Sequence, residues 1–388
     1  MIIPFHRPII PTSLDELHED SIRDGWITTG PITKRFESKL EKIFESDNVI
    51  AVNSCTAALH IALASKNFKP NDKFIVPTHT FVASVEVGEY LGMHPILIDS
   101  QKNEFNIDLN QVEDVLKKDK DNEIKAIIPV HFAGKTVQMD LIFDLANKYN
   151  LFVLEDAAHA FESKSKIGKV GNTNHAAAFS FYANKNITTG GEGGAISTND
   201  SFLANKMRKL SLHGMSKDGY KRFQSNGKWV YDVSELGYKY NMTDISASFG
   251  LWQLRHFNNW HFRRIEISNK YNTELNGIEG VICSTNKVST DNALHLYIIR
   301  IIPDLWKISR NELINKINQK GIGTSVHYIP IHMHSYYKKK YGFKPDSFPQ
   351  SKALSETIIS LPLYAALKDK EVNYVTNTIL DLWEEYKA

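Results

Sequence analysis

Residues 176–198 read AAAFSFYANKNITTGGEGGAIST. Two short apolar runs, Ala176–Phe181 and Gly194–Thr198, flank a polar loop that carries Lys185 and four glycines within Gly190–Gly194. Runs rich in Ala, Ile and Phe with no polar face are what strands covered on both sides look like. Five more precede them: Asn48–Val52, Lys73–Val76, Pro95–Asp99, Lys125–Val130 and Leu151–Asp156. Helix-like segments separate these runs. Alternation of this kind predicts an α/β fold with a mostly parallel, seven-stranded sheet.

Beyond residue 250 the pattern changes. Phe249–Leu275 reads as one long helix, Leu296–Ile302 as a strand, Ser309–Lys320 as a helix, and Thr324–Ile329 with the amphipathic Lys370–Tyr386 closes an α+β region. The expected division is a large domain over 1–255, including an N-terminal arm with no β-rich run, and a smaller C-terminal domain over 256–388.

The bulk numbers narrow the function. A chain of 388 residues has room for one large core and a smaller one. Its 46 basic and 44 acidic residues nearly cancel, which gives no electrostatic reason to expect a nucleic acid partner. Two cysteines, Cys55 and Cys283, cannot form a disulfide framework and are not spaced as a zinc pair. The first twenty residues mix charges and prolines where a signal peptide needs an apolar core, and no stretch reaches membrane-helix length; no membrane is expected, and the expected compartment is the cytoplasm.

In open α/β sheets ligands bind at the carboxyl ends of the strands. The Asn48–Val52 run leads into Asn53-Ser54-Cys55-Thr56-Ala57-Ala58, which reads as a helix N-terminus, either an ordinary cap or an anion site. After the second run comes Pro77-Thr78-His79-Thr80-Phe81, whose aromatic suits a core position or the face of a flat ligand. Asp156 ends the fifth run: it either caps the next helix or faces a cationic ring nitrogen. Lys185 is either a solvated loop residue or an amine made nucleophilic by burial. Anion site, aromatic, carboxylate and lysine in this order along one sheet are what a pyridoxal phosphate (PLP) enzyme requires, with Lys185 binding the cofactor as a Schiff base. Among the 15 histidines, His327, His332 and His334 cluster, but no carboxylate or cysteine accompanies them, so no metal site is expected. No GxGxxG follows the first run, which argues against a dinucleotide enzyme.

The segments GWITTGP (25–31), NSCTAALH (53–60), PTHTF (77–81), EDAAHA (155–160), FSFYANKNITTGGEGG (179–194), LGYKYNMTDI (236–245) and GTSVHYIPIHMH (323–334) together resemble the DegT/DnrJ/EryC1 sugar aminotransferases over nearly the whole chain. That resemblance implies the fold type I architecture of PLP-dependent transferases. It makes Lys185 the Schiff-base lysine and proton shuttle, and pairs Asp156 with the pyridinium nitrogen. His159 would bond the phenolic oxygen and Phe81 would stack on the ring. Cys55 and Thr56, through backbone groups, and Ser180 would hold the phosphate. Asn241 would reach the phosphate of a partner subunit in a homodimer with shared sites. Thr29 and His327 would lie near the sugar. The implied reaction moves an amino group from L-glutamate to a keto carbon, C4 rather than C3, of a nucleotide-linked deoxysugar in surface polysaccharide or glycan synthesis. Two departures stand out: Cys55 replaces a usual Gly or Ala, and some relatives have one glycine fewer after the lysine. Rival readings are a sugar 3-dehydratase, a branch in which His replaces the lysine, and a non-catalytic PLP- or sugar-nucleotide-binding protein.

Overall fold

The structure, a computed structural model, describes residues 1–17, 25–215, 231–283 and 288–388. Its large sheet has seven strands: β1 (Asn48–Val52), β2 (Lys73–Pro77), β3 (His94–Ile98), β4 (Ile124–Ile127), β5 (Phe152–Asp156), β6 (Ala176–Ser180) and β7 (Gly194–Thr198). They lie in the order β1-β7-β6-β5-β4-β2-β3. All neighbours are parallel except β7, which runs antiparallel to both β1 and β6. The connection from β6 to β7 is therefore the Lys185 loop itself, and no crossover helix intervenes.

Every residue of β5, β6 and β7 is buried, as the absence of a polar face in these runs implied. Their two faces take different helices. Ile50, Val52, Leu154, Ala176, Ala178 and Ile196 pack with helices α2 (Cys55–Ala64) and α3 (Ala83–Glu89). Helix α2 is enclosed all round, with Ala57 through Leu63 buried, which explains its uninterrupted Ala/Leu/Ile composition. On the other face α1 (Pro31–Phe44) lays Ile32, Phe36, Leu40 and Phe44 at helical spacing against Val49, Ala51, Ala177 and Phe179. Helices α4 (Leu109–Lys118) and α5 (Met139–Tyr149) cover Ile75, Ile127 and Val153. Helix α6 (Ser201–Leu210) follows β7.

A second core forms around the antiparallel strands β8 (Val281–Cys283), β9 (Tyr297–Ile301) and β10 (Ile358–Leu361), with α8 (Arg310–Gln319) and α11 (Asp369–Tyr386); α9 (Ser335–Tyr341) and α10 (Pro349–Thr357) lie between α8 and β10 in the chain. Helix α7 (Asp244–Leu275) joins the two cores. Ala247, Leu251 and Phe257 belong to the first, and Ile267, Tyr271 and Leu275 to the second. On that basis we propose the division within this helix between Phe257 and Ile267, a little past the expected residues 255 and 256, with one amendment. Ile3 is fully buried in the second core, tied by Ile3 N to Gly321 O and Gly323 N to Ile3 O, each 2.8 Å, so the start of the N-terminal arm packs with the C-terminal unit. Residues 324–329 form no strand beyond the single bridge Ser325–Ser360, and 331–333 make a 3-10 turn.

Two buried carboxylates tie distant segments together. Asp244, fully buried in the first turn of α7, accepts from Gly30 N (2.8 Å), Ile32 N (3.2 Å), Thr33 N (2.9 Å) and Thr33 Oγ1 (2.6 Å). It caps α1, whose own cap residue is a glycine with no side chain to offer. Asp99, just past β3, accepts from Gln350 N (2.9 Å), Ser351 N (2.8 Å) and Ser351 Oγ (2.6 Å) and so caps α10. Replacing Asp244 by Ala leaves three buried N–H groups without partners. The expected cost is about 3–5 kcal/mol of stability, read as a lowered urea midpoint; a midpoint unchanged from the parent would show that α1 does not depend on this cap.

Candidate active site

The carboxyl ends of β1, β5 and β6 open on one cavity of about 390 Å³, within the range of small-molecule sites. Its wall includes Cys55, Thr56, Phe81, Asp156, His159, Ser180, Lys185 and His327, eight of the ten residues singled out from the sequence. Thr29 and Asn241 are not in that wall. They bond each other, Asn241 Nδ2 to Thr29 Oγ1 at 2.6 Å, and Thr29 Oγ1 also donates to the carbonyl of Met242.

One end of the cavity is built to take an anion. Ser54 caps α2 with its side chain, accepting from Ala57 N at 3.0 Å. The N–H groups of Cys55 and Thr56, in the first turn, have no intrahelical acceptor and sit at the positive end of the helix dipole. Gly194 begins β7 directly against this turn. A Cβ there would lie 2.6 Å from Ser54 C and 2.7 Å from Cys55 N, so only glycine lets strand and helix start approach so closely. Ser180, at the end of β6, lines the same cavity.

Asp156 is held from several sides. Its Oδ2 accepts from Ser84 Oγ at 2.6 Å, its Oδ1 from Ala158 N at 3.1 Å, and its backbone is fixed by bonds to Pro129 O and from His131 N. Ser84 is itself bonded to Thr80 Oγ1 at 2.8 Å. Asp156 is thus a buried carboxylate facing a cavity, held in place by a hydroxyl chain. Ser84 was not legible in the sequence: a serine among the apolar residues of a short helix carries no signal until the carboxylate is placed beside it.

Lys185 sits in a turn closed by its own N–H to Tyr182 O at 2.9 Å. Gly190, with φ of 87°, lets the loop fold back towards β7. The lysine is partly exposed because it opens on the cavity. The surrounding protein still lowers its pKa from 10.5 to about 8 by desolvation, against the opposing pull of Cys55 and Asp156. Among the described residues nothing accepts a hydrogen bond from its amine. The Cys55 thiol lies beside this pair, and burial, reinforced by the Asp156 charge, pushes its pKa well up, so it stays a thiol.

The opposite wall comes from the second unit. His327 bonds Ser360 Oγ at 2.8 Å through Nδ1, and burial, then the Lys185 charge, lowers its pKa to about 4. Tyr328, to which the motif at 323–334 assigned no role, meets His159 Nε2 at 3.0 Å. Phe81 stays 56% exposed, its ring open to the cavity mouth and 5.8 Å from that of Tyr328. The remaining histidines of that motif are structural: His332 bonds Thr78 Oγ1 at 2.8 Å and His334 the carbonyl of Ile329 at 3.2 Å. Among the described residues no three His, Cys, Asp or Glu side chains converge as metal ligands.

Comparisons with known proteins agree with this chemistry. The model of the DegT/DnrJ/EryC1/StrS aminotransferase family matches residues 9–380. The spore coat polysaccharide biosynthesis protein SpsC of Bacillus subtilis is 38% identical over 383 residues, 98% of this chain and 97% of that one. Spr1654 of Streptococcus pneumoniae, a structure described as a sugar aminotransferase in its PMP form, superposes with a TM-score of 0.88 at 33% identity over 99% of both chains. PseC of Helicobacter pylori, an aminotransferase involved in the biosynthesis of pseudoaminic acid, superposes at 0.89 with 25% identity over 99% of this chain and 100% of that one.

The lowered pKa of Lys185 has a direct readout. Below about pH 8 its amine is charged, and above that it is a free nucleophile. In the cofactor-free protein an amine-selective acylating reagent should label Lys185 with a pH midpoint near 8, while exposed lysines follow their ordinary value near 10.5. Labelling of Lys185 in step with exposed lysines would show that the cavity does not desolvate it.

Proposed function

The chain belongs to the DegT/DnrJ/EryC1/StrS aminotransferase family and is a PLP-dependent sugar aminotransferase; from that premise we propose that it aminates C4 of a nucleotide-linked keto-deoxysugar with L-glutamate as donor. One observation carries the catalytic part: a desolvated amine, Lys185, and a fixed carboxylate, Asp156, open on one cavity with an anion-binding helix start.

The residues fit the cofactor. Gly194 lets β7 start against the Ser54–Thr56 turn, which lines the cavity with its free N–H groups and can take a phosphate, and Asp156 offers a buried carboxylate to a protonated ring nitrogen. PLP, when bound, supplies the electron sink that lets an amino group leave one carbon and join another. Backbone N–H groups of Cys55 and Thr56 with the Ser180 hydroxyl hold its phosphate. Asp156, itself fixed by Ser84 and Ala158 N, keeps the ring nitrogen protonated. Phe81, exposed at the cavity mouth, would cover the ring and exclude water from one side. Lys185 Nζ would anchor the cofactor and, when free of it, would carry the proton that moves between the two carbons. With a pKa near 8, about one amine in ten is unprotonated at pH 7, against fewer than one in a thousand for an exposed lysine.

Residues in and beside the cavity support the substrate side. His327 is held neutral and lines the cavity, where a ring nitrogen can bond a sugar hydroxyl. Thr29 and Asn241 bond each other at the end of β1 and outside the cavity wall, a placement that suits contact with the site of a second subunit in a homodimer. No helix among the described residues is long and apolar enough to cross a membrane, and we place the enzyme in the cytoplasm, where sugar nucleotides are made. The kinship with SpsC favours a product destined for surface polysaccharide. Lys185 disfavours the dehydratase reading, since that branch lacks the lysine. C3 amination is the second reading of the substrate.

The test is a panel of 4-keto- and 3-keto-deoxy nucleotide sugars with glutamate, followed by mass spectrometry. A 4-amino product is expected. A 3-amino product would move the keto position, and no amination of any member would overturn the nucleotide-sugar assignment. Lys185→Ala should lower turnover by roughly 10³-fold or more, and borohydride should fix the cofactor on Lys185 in the parent; full activity in the variant would exclude the lysine.

A further inference from the structure

His159 and Tyr328 form a relay whose direction is set by its first member. The backbone N–H of Ala133 donates to His159 Nδ1 at 3.2 Å. A backbone N–H can only donate, so Nδ1 carries a lone pair. Burial, reinforced by the charge on Lys185, holds the imidazole neutral, and its single proton therefore sits on Nε2. Nε2 lies 3.0 Å from Tyr328 Oη and donates to it. The Tyr328 oxygen is thus an acceptor, and its own O–H must find a partner elsewhere. Among the described residues no protein group takes that proton. Tyr328 lines the cavity, and burial with the Asp156 charge raises its pKa, so it remains a donor across the working pH range.

Bound PLP would bring an acceptor into this cavity. On the pyridine ring the phosphate arm and the phenolic oxygen flank the carbon that a lysine engages, on opposite sides, and the ring nitrogen lies across from it. With Lys185, Asp156 and the anion site taking three of these positions, the fourth needs a hydrogen-bond donor. We propose that Tyr328 donates its hydroxyl proton to the phenolic oxygen of bound PLP, and that His159 is a positioning residue that orients this hydroxyl from behind. The inference rests on the cavity assignments proposed above and moves His159 one step back from the contact the family resemblance gives it. A donor at that oxygen stabilises its anionic form and draws the ionisation of the bound cofactor to lower pH.

The experiment is a pH titration of the visible absorption of the holoenzyme. Tyr328→Phe keeps the ring and removes the hydroxyl; its midpoint should rise by about one pH unit, the size of one lost hydrogen bond to an anionic oxygen. His159→Leu should shift it in the same direction, and the double variant should add little to either single one, as members of one chain do. The other titratable groups around this pair (Asp156, Lys185, Cys55, His295 and His327) are unchanged in the parent and in all three variants. A midpoint unmoved by Tyr328→Phe but moved by His159→Leu would overturn the proposal in favour of direct contact by His159. A second readout needs no cofactor: the ¹⁵N shifts of His159 in the apo-protein should place the proton on Nε2, and a proton on Nδ1 would break the relay. Absence of any visible band and of borohydride labelling in the parent would instead overturn the assignment of Lys185, on which the inference stands.

Discussion

A lysine that is to act as a nucleophile at neutral pH must lose its water without gaining a hydrogen-bonded counter-ion, because a close ion pair would restore the charge. Lys185 meets that condition. Desolvation outweighs the pull of Asp156 and Cys55, and the amine is left with no acceptor among the described residues. The rest of the site follows from keeping it so. The loop that carries it is a direct connection between two wholly buried strands, β6 and β7, and the antiparallel turn of β7 brings the chain back against the start of α2. Gly194 is where the two constraints meet: the strand that ends the lysine loop is also the strand that touches the anion-binding turn.

The carboxylate opposite has its own support. Asp156 faces the cavity with both oxygens engaged, by Ser84 and by Ala158 N, which fixes its orientation before any cation arrives. The adjacent Glu155 points the other way and is satisfied by His131 at 2.9 Å. Two neighbouring carboxylates on one strand therefore play opposite parts, as alternation along a strand requires. One is exposed to the ligand space; the other is paired inside the protein.

The second unit finishes the cavity instead of merely flanking it. His327 and Tyr328 reach the wall from residues after β9, and Tyr328 bonds His159 of the first unit. Tight ties across the chain keep this wall in register. Asp99 caps α10, Asp244 caps α1, and Ile3 bonds the backbone at Gly321 and Gly323. Each joins segments more than 200 residues apart. Of these, the Asp99 cap of α10 crosses from the first unit to the second, and with the His159–Tyr328 contact it sets where the C-terminal residues stand relative to the strand ends.

Local chemistry was enough to determine much of this protein. The doubly apolar runs announced buried strands, since a strand with no polar face has to be covered on both sides. The order of helix start, aromatic, carboxylate and lysine along those runs announced a PLP site, and Cys55, Thr56, Phe81, Asp156 and Lys185 line one cavity, joined there by His159, Ser180 and His327, which the family resemblance added. Tertiary structure alone decided the rest. That β7 is antiparallel, that Ile3 packs with the C-terminal core, that Ser84 fixes Asp156, and that Thr29 and Asn241 meet each other outside the cavity wall are facts of residues distant in the chain. Nor could the motif at 323–334 show that Tyr328 would stand against His159. Propensity and periodicity report what a residue prefers next to its neighbours in the chain; which carboxylate a hydroxyl will meet is settled only when the cores pack and every buried donor must find its acceptor.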